Sequence, residues 1–96
     1  MVFVIDNLKY DTDKMELISE KCKYIYTWPF TLTDTRTRSN GKDVKLWKSK
    51  KGNWLLTYNT DYSTRAVKFS VEQAKEILIK YDLEKYELLF GEIEEA

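Results

Sequence analysis

Histidine does not occur anywhere in the 96 residues. That removes the commonest general base and the commonest metal ligand together. A single cysteine, Cys22, excludes an internal disulfide and a thiolate zinc site, and it suits a reducing compartment. With no candidate base within sequence reach, Cys22 reads as a small, half-buried structural thiol and not as a nucleophile. One proline and three glycines are too few for a linker-rich or disordered chain, and no glycine-rich phosphate loop is present. No window approaches the roughly 18 apolar residues of a membrane span. The opening MVFVID has too short an apolar run, and no basic flank, for a signal peptide. These absences lead to the expectation of a cytoplasmic protein that is not an enzyme. Neither a metal, a cofactor, a small-molecule substrate nor a membrane is expected among its partners.

What is present supports one domain over residues 1–96, because two independent cores would each be too small to hold. Hydrophobic residues make up 43% of the chain and aromatics 15%, enough apolar area for a single core. Sixteen basic and sixteen acidic residues balance to zero, which argues against bulk-charge coating of nucleic acid and against a wholesale nucleic-acid mimic. The distribution is uneven. Residues 35–51 hold seven cations against Asp43, a local balance of +6. Residues 82–96 hold six acids against Lys85, a balance of −5.

The clearest element is Asp43 to Asn59, which reads as two strands folded over a Lys-Lys-Gly turn. Val44 and Leu46 alternate with Lys45 and Trp47, and Trp54, Leu56 and Tyr58 alternate with Leu55, Thr57 and Asn59. Gly52 and Asn53 are residues that tolerate positive φ in a short reversal. Leu8 to Tyr10 is a short strand, closed by Asx chemistry at Asp11-Thr12-Asp13. Those aspartates with Glu16 lack the glycine and terminal glutamate of a calcium loop, so a turn with solvated charge is expected. Met15 to Trp28 fits both a helix and a strand, with YIYTW favouring strand in its second half. In TLTDTRTRSNGKD the alternating threonines suit an exposed edge strand or a loop, and Ser39-Asn40-Gly41 signals a turn. Ala66 to Phe69 is a further strand.

The period then changes. Ser70 and Gln73 make a capping box, and Val71, Ala74, Ile77, Leu78 and Tyr81 form one apolar helix face. Asp82 caps a second helix, whose stripe is Leu83, Tyr86, Leu89 and Phe90, ended by Gly91. The predicted fold is α+β: a mostly antiparallel sheet of four to five strands within residues 1–69, and two C-terminal helices over residues 70–91 packed on one face. An acidic tail follows at residues 92–96. Val44, Leu46, Leu56, Val71, Ala74, Leu78 and Leu89 are the expected core.

Arg36, Arg38, Lys42, Lys45, Trp47, Lys48, Lys50 and Lys51 are the candidate binding residues. Cations beside an exposed aromatic are what single-stranded or structured RNA binding uses. The plainer reading makes Lys48 to Lys51 a solvated turn, the strand lysines edge protection and Trp47 packing under the helices. Glu92, Glu94 and Glu95 read as a solubilising tail or as a contact for a basic partner.

The order of KYDTD, LWKSKKGNWLLTY and KFSVEQAKEILIKYDLEKYELLFGEIEEA resembles small proteins carried on plasmids, phages and conjugative elements of Gram-positive bacteria. The similarity lies in Tyr10-Asp11-Thr12, Leu46-Trp47-Lys48, Gly52 to Leu55 and Phe69 to Gly91. Ile25 to Lys42 departs from the pattern, and the loop after the hairpin is short. The resemblance implies a type II anti-CRISPR inhibitor that binds a Cas9-type effector or its guide RNA. The alternative is an RNA- or DNA-binding accessory or regulatory protein of a plasmid or phage.

Overall fold

The computed structural model describes residues 1–29 and 36–96, with the side chains of residues 28, 29, 36 and 37 outside that description. The strands are β1 (Val2–Ile5), β2 (Leu8–Asp11), β3 (Glu16–Ser19), β4 (Ile25–Pro29), β5 (Arg36–Asn40), β6 (Lys42–Lys48), β7 (Trp54–Asn59) and β8 (Thr64–Phe69). The helices α1 (Val71–Tyr81) and α2 (Leu83–Phe90) follow. The α+β class and the two C-terminal helices are as expected from the sequence. The main sheet is antiparallel with the order β3-β6-β7-β8, and β1-β2 and β4-β5 form separate two-stranded sheets.

Leu8 to Tyr10 therefore pairs with Val2–Ile5 and not with the main sheet. Asp6 (φ 51°) and Asn7 (φ 64°) both take the left-handed region, as a two-residue hairpin turn of the primed type requires. Met15 to Trp28 contributes two strands, β3 and β4, and no α-helix. Its β-branched and aromatic residues find cross-strand partners on β6 and β5. The threonine-rich stretch is a strand from Arg36 onward, while its first part lies outside the described residues. Ser39-Asn40-Gly41 joins β5 to β6 with a different purpose from a simple reversal. Gly41 donates its N–H to Tyr24 O at 2.8 Å. A Cβ there would come within 2.9 Å of Tyr58 Cβ, so glycine is needed for close approach.

Alternation gives the main sheet two unlike faces. Partners that share a face put Leu46, Leu56 and Val67 together, with Trp54 and Phe69 beside them. Ala74 and Leu78 of α1 complete this layer, together with Ile18, Cys22, Val44 and Tyr58. Helix α2 docks through Phe90, whose ring lies 6.1 Å from that of Trp54. The opposite face carries Trp47, Leu55 and Lys68. There Lys68 Nζ donates to Asp6 at the β1–β2 turn over 2.8 Å, which lays that hairpin against the sheet. Tyr10 and Leu55 are both buried.

Two expected core residues prove exposed: Val71 is 40% accessible and Leu89 39%. Val71 opens α1 on its outer side, and Leu89 is displaced from the sheet because Tyr86 and Phe90 take the inward positions of α2. Both helix starts follow the local chemistry. Ser70 and Gln73 make the reciprocal capping box, and Asp82 accepts from Lys85 N–H at 3.4 Å. Asp82 is itself buried, and Ser19 Oγ donates to its other oxygen at 2.6 Å, tying β3 to the junction of the helices.

Candidate functional site at the tip of the central hairpin

Strands β6 and β7 place Lys48, Lys50 and Lys51 at one end of the molecule. Lys48 and Trp54 are the last paired residues, and the connection is closed by Ser49. Ser49 N–H donates to Asn53 O at 2.8 Å, and Gly52 N–H to Ser49 O at 3.0 Å. Ser49 Oγ accepts from Asn53 N–H at 3.0 Å. Gly52 adopts φ 86°, a conformation open to glycine, whereas Asn53 does not take a positive φ. The turn is thus fixed by its own backbone, and the lysine stems start from a rigid base.

Beside this tip, β2 and the 3-10 turn Thr12–Lys14 form the second wall of a groove of about 1150 Å³. Lys48, Lys50 and Lys51 line one wall, and Lys9 and Lys14 line the other. Asp11, Asp13 and Glu16 also reach it. Five lysines against three carboxylates leave a balance of +2, but the two signs differ in what they already contact. Asp11 Oδ1 accepts from Asp13 N–H at 3.1 Å, and Asp13 lies 3.6 Å from the terminal ammonium. Glu16 stands opposite Lys48 in register. Among the described residues, none of the five lysines holds an ion pair with a carboxylate.

The remaining sequence candidates lie elsewhere. Lys42 is at the far end of β6, six residues or about 20 Å along the strand from Lys48. Its Nζ sits 2.6 Å from Asp61, and that hydrogen bond, reinforced by the carboxylate charge, raises the ammonium pKa. Arg38 is on β5, opposite Thr27 in the separate β4–β5 ribbon, and is exposed. Arg36 is the first residue of that strand, and its side chain lies outside the described residues. Lys45 pairs with Thr57 on the face that the β1–β2 hairpin covers in part.

Trp47 shares that face and donates its indole N–H to Thr57 Oγ1 at 2.9 Å. The ring is half-buried against the sheet, on the side away from the helices. Lys48 points to the other face, its Nζ 5.7 Å from the Trp54 ring centroid. The eight candidates therefore do not form one patch. Lys48, Lys50 and Lys51 come together, and the structure adds Lys9 and Lys14. A single basic residue in β2 and another in a turn carried no sequence signal, because only the packing of one hairpin against another makes them neighbours.

Cys22 is buried, and that burial pushes its thiol pKa up, opposed by a hydrogen bond to Ser19 Oγ at 3.7 Å and reinforced by the Asp82 charge. No group of three or more His, Cys, Asp or Glu with metal-binding geometry occurs among the described residues. No helix among them is long and apolar enough to cross a membrane. No protein-family model, curated protein or solved structure matches the chain.

Proposed function

We propose that the protein is a non-catalytic binding protein of a mobile genetic element that inhibits a Cas9-type effector in the cytoplasm of its bacterial host. In this reading Lys48, Lys50 and Lys51 contact phosphates of the guide RNA. The observation that carries the reading is the tip itself: three lysines on a hydrogen-bonded turn, none with a carboxylate partner among the described residues. Unpaired ammonium groups on a rigid base meet phosphate without first breaking an internal ion pair. The buried Cys22 thiol, held protonated by its surroundings, favours binding over covalent chemistry. The choice of a Cas9-type target comes from the resemblance in the motif order, and the choice of a phosphate ligand comes from the lysines.

The same lysines suit an RNA- or DNA-binding accessory protein of a plasmid or phage, and one experiment separates the two. Tagged protein is incubated with a Cas9-type effector, with and without guide RNA, and target cleavage is read in the same samples. Guide-dependent retention with loss of cleavage is the expected result. Retention of RNA alone, with cleavage intact, would move the function to the accessory reading. Retention of neither would remove the phosphate-binding role.

A further inference from the structure

Resting on the phosphate-binding reading, we propose that the ligand lies inside the groove as a single strand of nucleic acid, with Lys9 and Lys14 of the second wall gripping its backbone opposite Lys48, Lys50 and Lys51. A duplex presents its phosphates on a convex cylinder, which one ridge of cations can touch from one side only. The groove is concave, holds about 1150 Å³, and carries unpaired lysines on both walls. A backbone lying between those walls meets ammonium groups on two sides, which suits an unpaired strand. The volume is slightly above the roughly 300–1,000 Å³ of small-molecule pockets, in keeping with a short run of polymer.

The groove also specifies what the interaction lacks. Tyr10 is the aromatic residue in its lining, and at 3% exposed it is packed in the body of the molecule and offers no free ring face for base stacking. Recognition is therefore mainly electrostatic, steep in salt and tolerant of base sequence. With about five phosphates neutralised, a fourfold rise in salt weakens single-strand binding on the order of 100-fold.

The test is a fluorescence anisotropy titration with a labelled mixed-sequence oligonucleotide of about a dozen residues, as RNA, as DNA and as a duplex. Four proteins are compared: wild type, Lys50→Glu/Lys51→Glu at the tip, Lys9→Glu/Lys14→Glu on the second wall, and Lys80→Glu on the outer side of α1. The expected result is a loss of tenfold or more for both groove variants on single strands, with Lys80→Glu close to wild type. The duplex is expected to bind at least tenfold more weakly than either strand, and RNA against DNA identifies the source. A tip variant that loses affinity beside a second-wall variant that does not would overturn the groove and leave the tip reading intact. Duplex binding as tight as single-strand binding would also overturn it. No loss in either variant would remove both readings. A second measurement covers a second-wall variant that fails to fold. Lysine acetylation of the wild type is followed by mass spectrometry with and without the RNA strand. Lys9 and Lys14 are expected to be protected together with Lys50 and Lys51, and unprotected Lys9 and Lys14 would contradict the groove.

Discussion

The two ends of the β6–β7 hairpin carry the same residue types and use them differently. At the base, Lys42 is hydrogen-bonded to Asp61, Asn59 donates to Asp43 at 3.1 Å, and Thr64 donates to Asn59 at 2.8 Å. Asp43 holds a positive φ of 48° where the β6–β7 register shifts, and Gly41 passes against Tyr58. At the tip the turn closes on its own backbone, and Lys48, Lys50 and Lys51 are left without carboxylates among the described residues. A run of cations in a sequence is a count of charges, whereas binding depends on how many are unengaged. The base spends its polar groups on geometry and the tip keeps them for solvent or a ligand.

The comparison is broken most severely by reversing the tip. Lys48→Glu/Lys50→Glu/Lys51→Glu is expected to lower single-strand affinity by about 100-fold or more at low salt, equivalent to about 2.7 kcal/mol. Its circular dichroism melt should fall by a small amount, because no ion pair among the described residues is lost but Lys48 leaves the Trp54 ring and the new carboxylate faces Glu16. Asp82→Ala acts on the helix side of the core and should leave binding alone. It removes an N-cap and the acceptor for the buried Ser19 hydroxyl, at a cost of about 2–3 kcal/mol in chemical denaturation. Gly41→Ala attacks the base. The new Cβ overlaps Tyr58, and a loss of about 1–3 kcal/mol is expected, against about 1 kcal/mol for Gly52→Ala at the tip, where space is open but φ is 86°.

Smaller effects come from titration. The thiol of Cys22, the phenol of Tyr58 and the ammonium groups of Lys42 and Lys68 all have pKa values raised by folding. Burial is the main cause for the first two, and a hydrogen bond to a carboxylate for the lysines. Each folded form holds its proton more tightly than the unfolded chain, so each contribution is complete at low pH and is lost as pH rises. The ordinary values are 9.0 for the thiol, 10.0 for the phenol and 10.5 for the lysines. From these four groups the melting temperature should hold up to about pH 8.5 and fall above pH 9, with Cys22→Ala delaying the onset toward pH 10. Smallest of all, Lys42→Ala should leave the melting temperature within error, because its ion pair with Asp61 is open to solvent.

Much of the fold was legible because its signals are local. The Ser70–Gln73 capping box, Asp82 as a second cap and Gly91 at the end of α2 are short patterns, and each occupies its expected place. The alternation of Val44 and Leu46 against Leu56 likewise identified the helix-covered face. What could not be read depends on contacts between distant segments. Leu55 is absent from the expected core, yet it is fully buried on the face it shares with Trp47 and Lys68. Asp6-Asn7 lacks the glycine that usually announces a primed turn, so the first hairpin has no local signature in the sequence. The candidate site was legible in part for the same reason. Lys48 to Lys51 are neighbours in sequence, whereas Lys9 and Lys14 reach them only through folding, and Arg38 and Lys42 lie far away despite sitting in the same basic run.

The central claim is that the tip lysines neutralise phosphates. It is tested most directly by the salt dependence of single-strand binding in wild type and in Lys48→Glu/Lys50→Glu/Lys51→Glu. The account predicts that the slope of log affinity against log salt becomes shallower by about 2 in the variant, from three lost contacts at about 0.7 each. An unchanged slope, at whatever affinity, would contradict it.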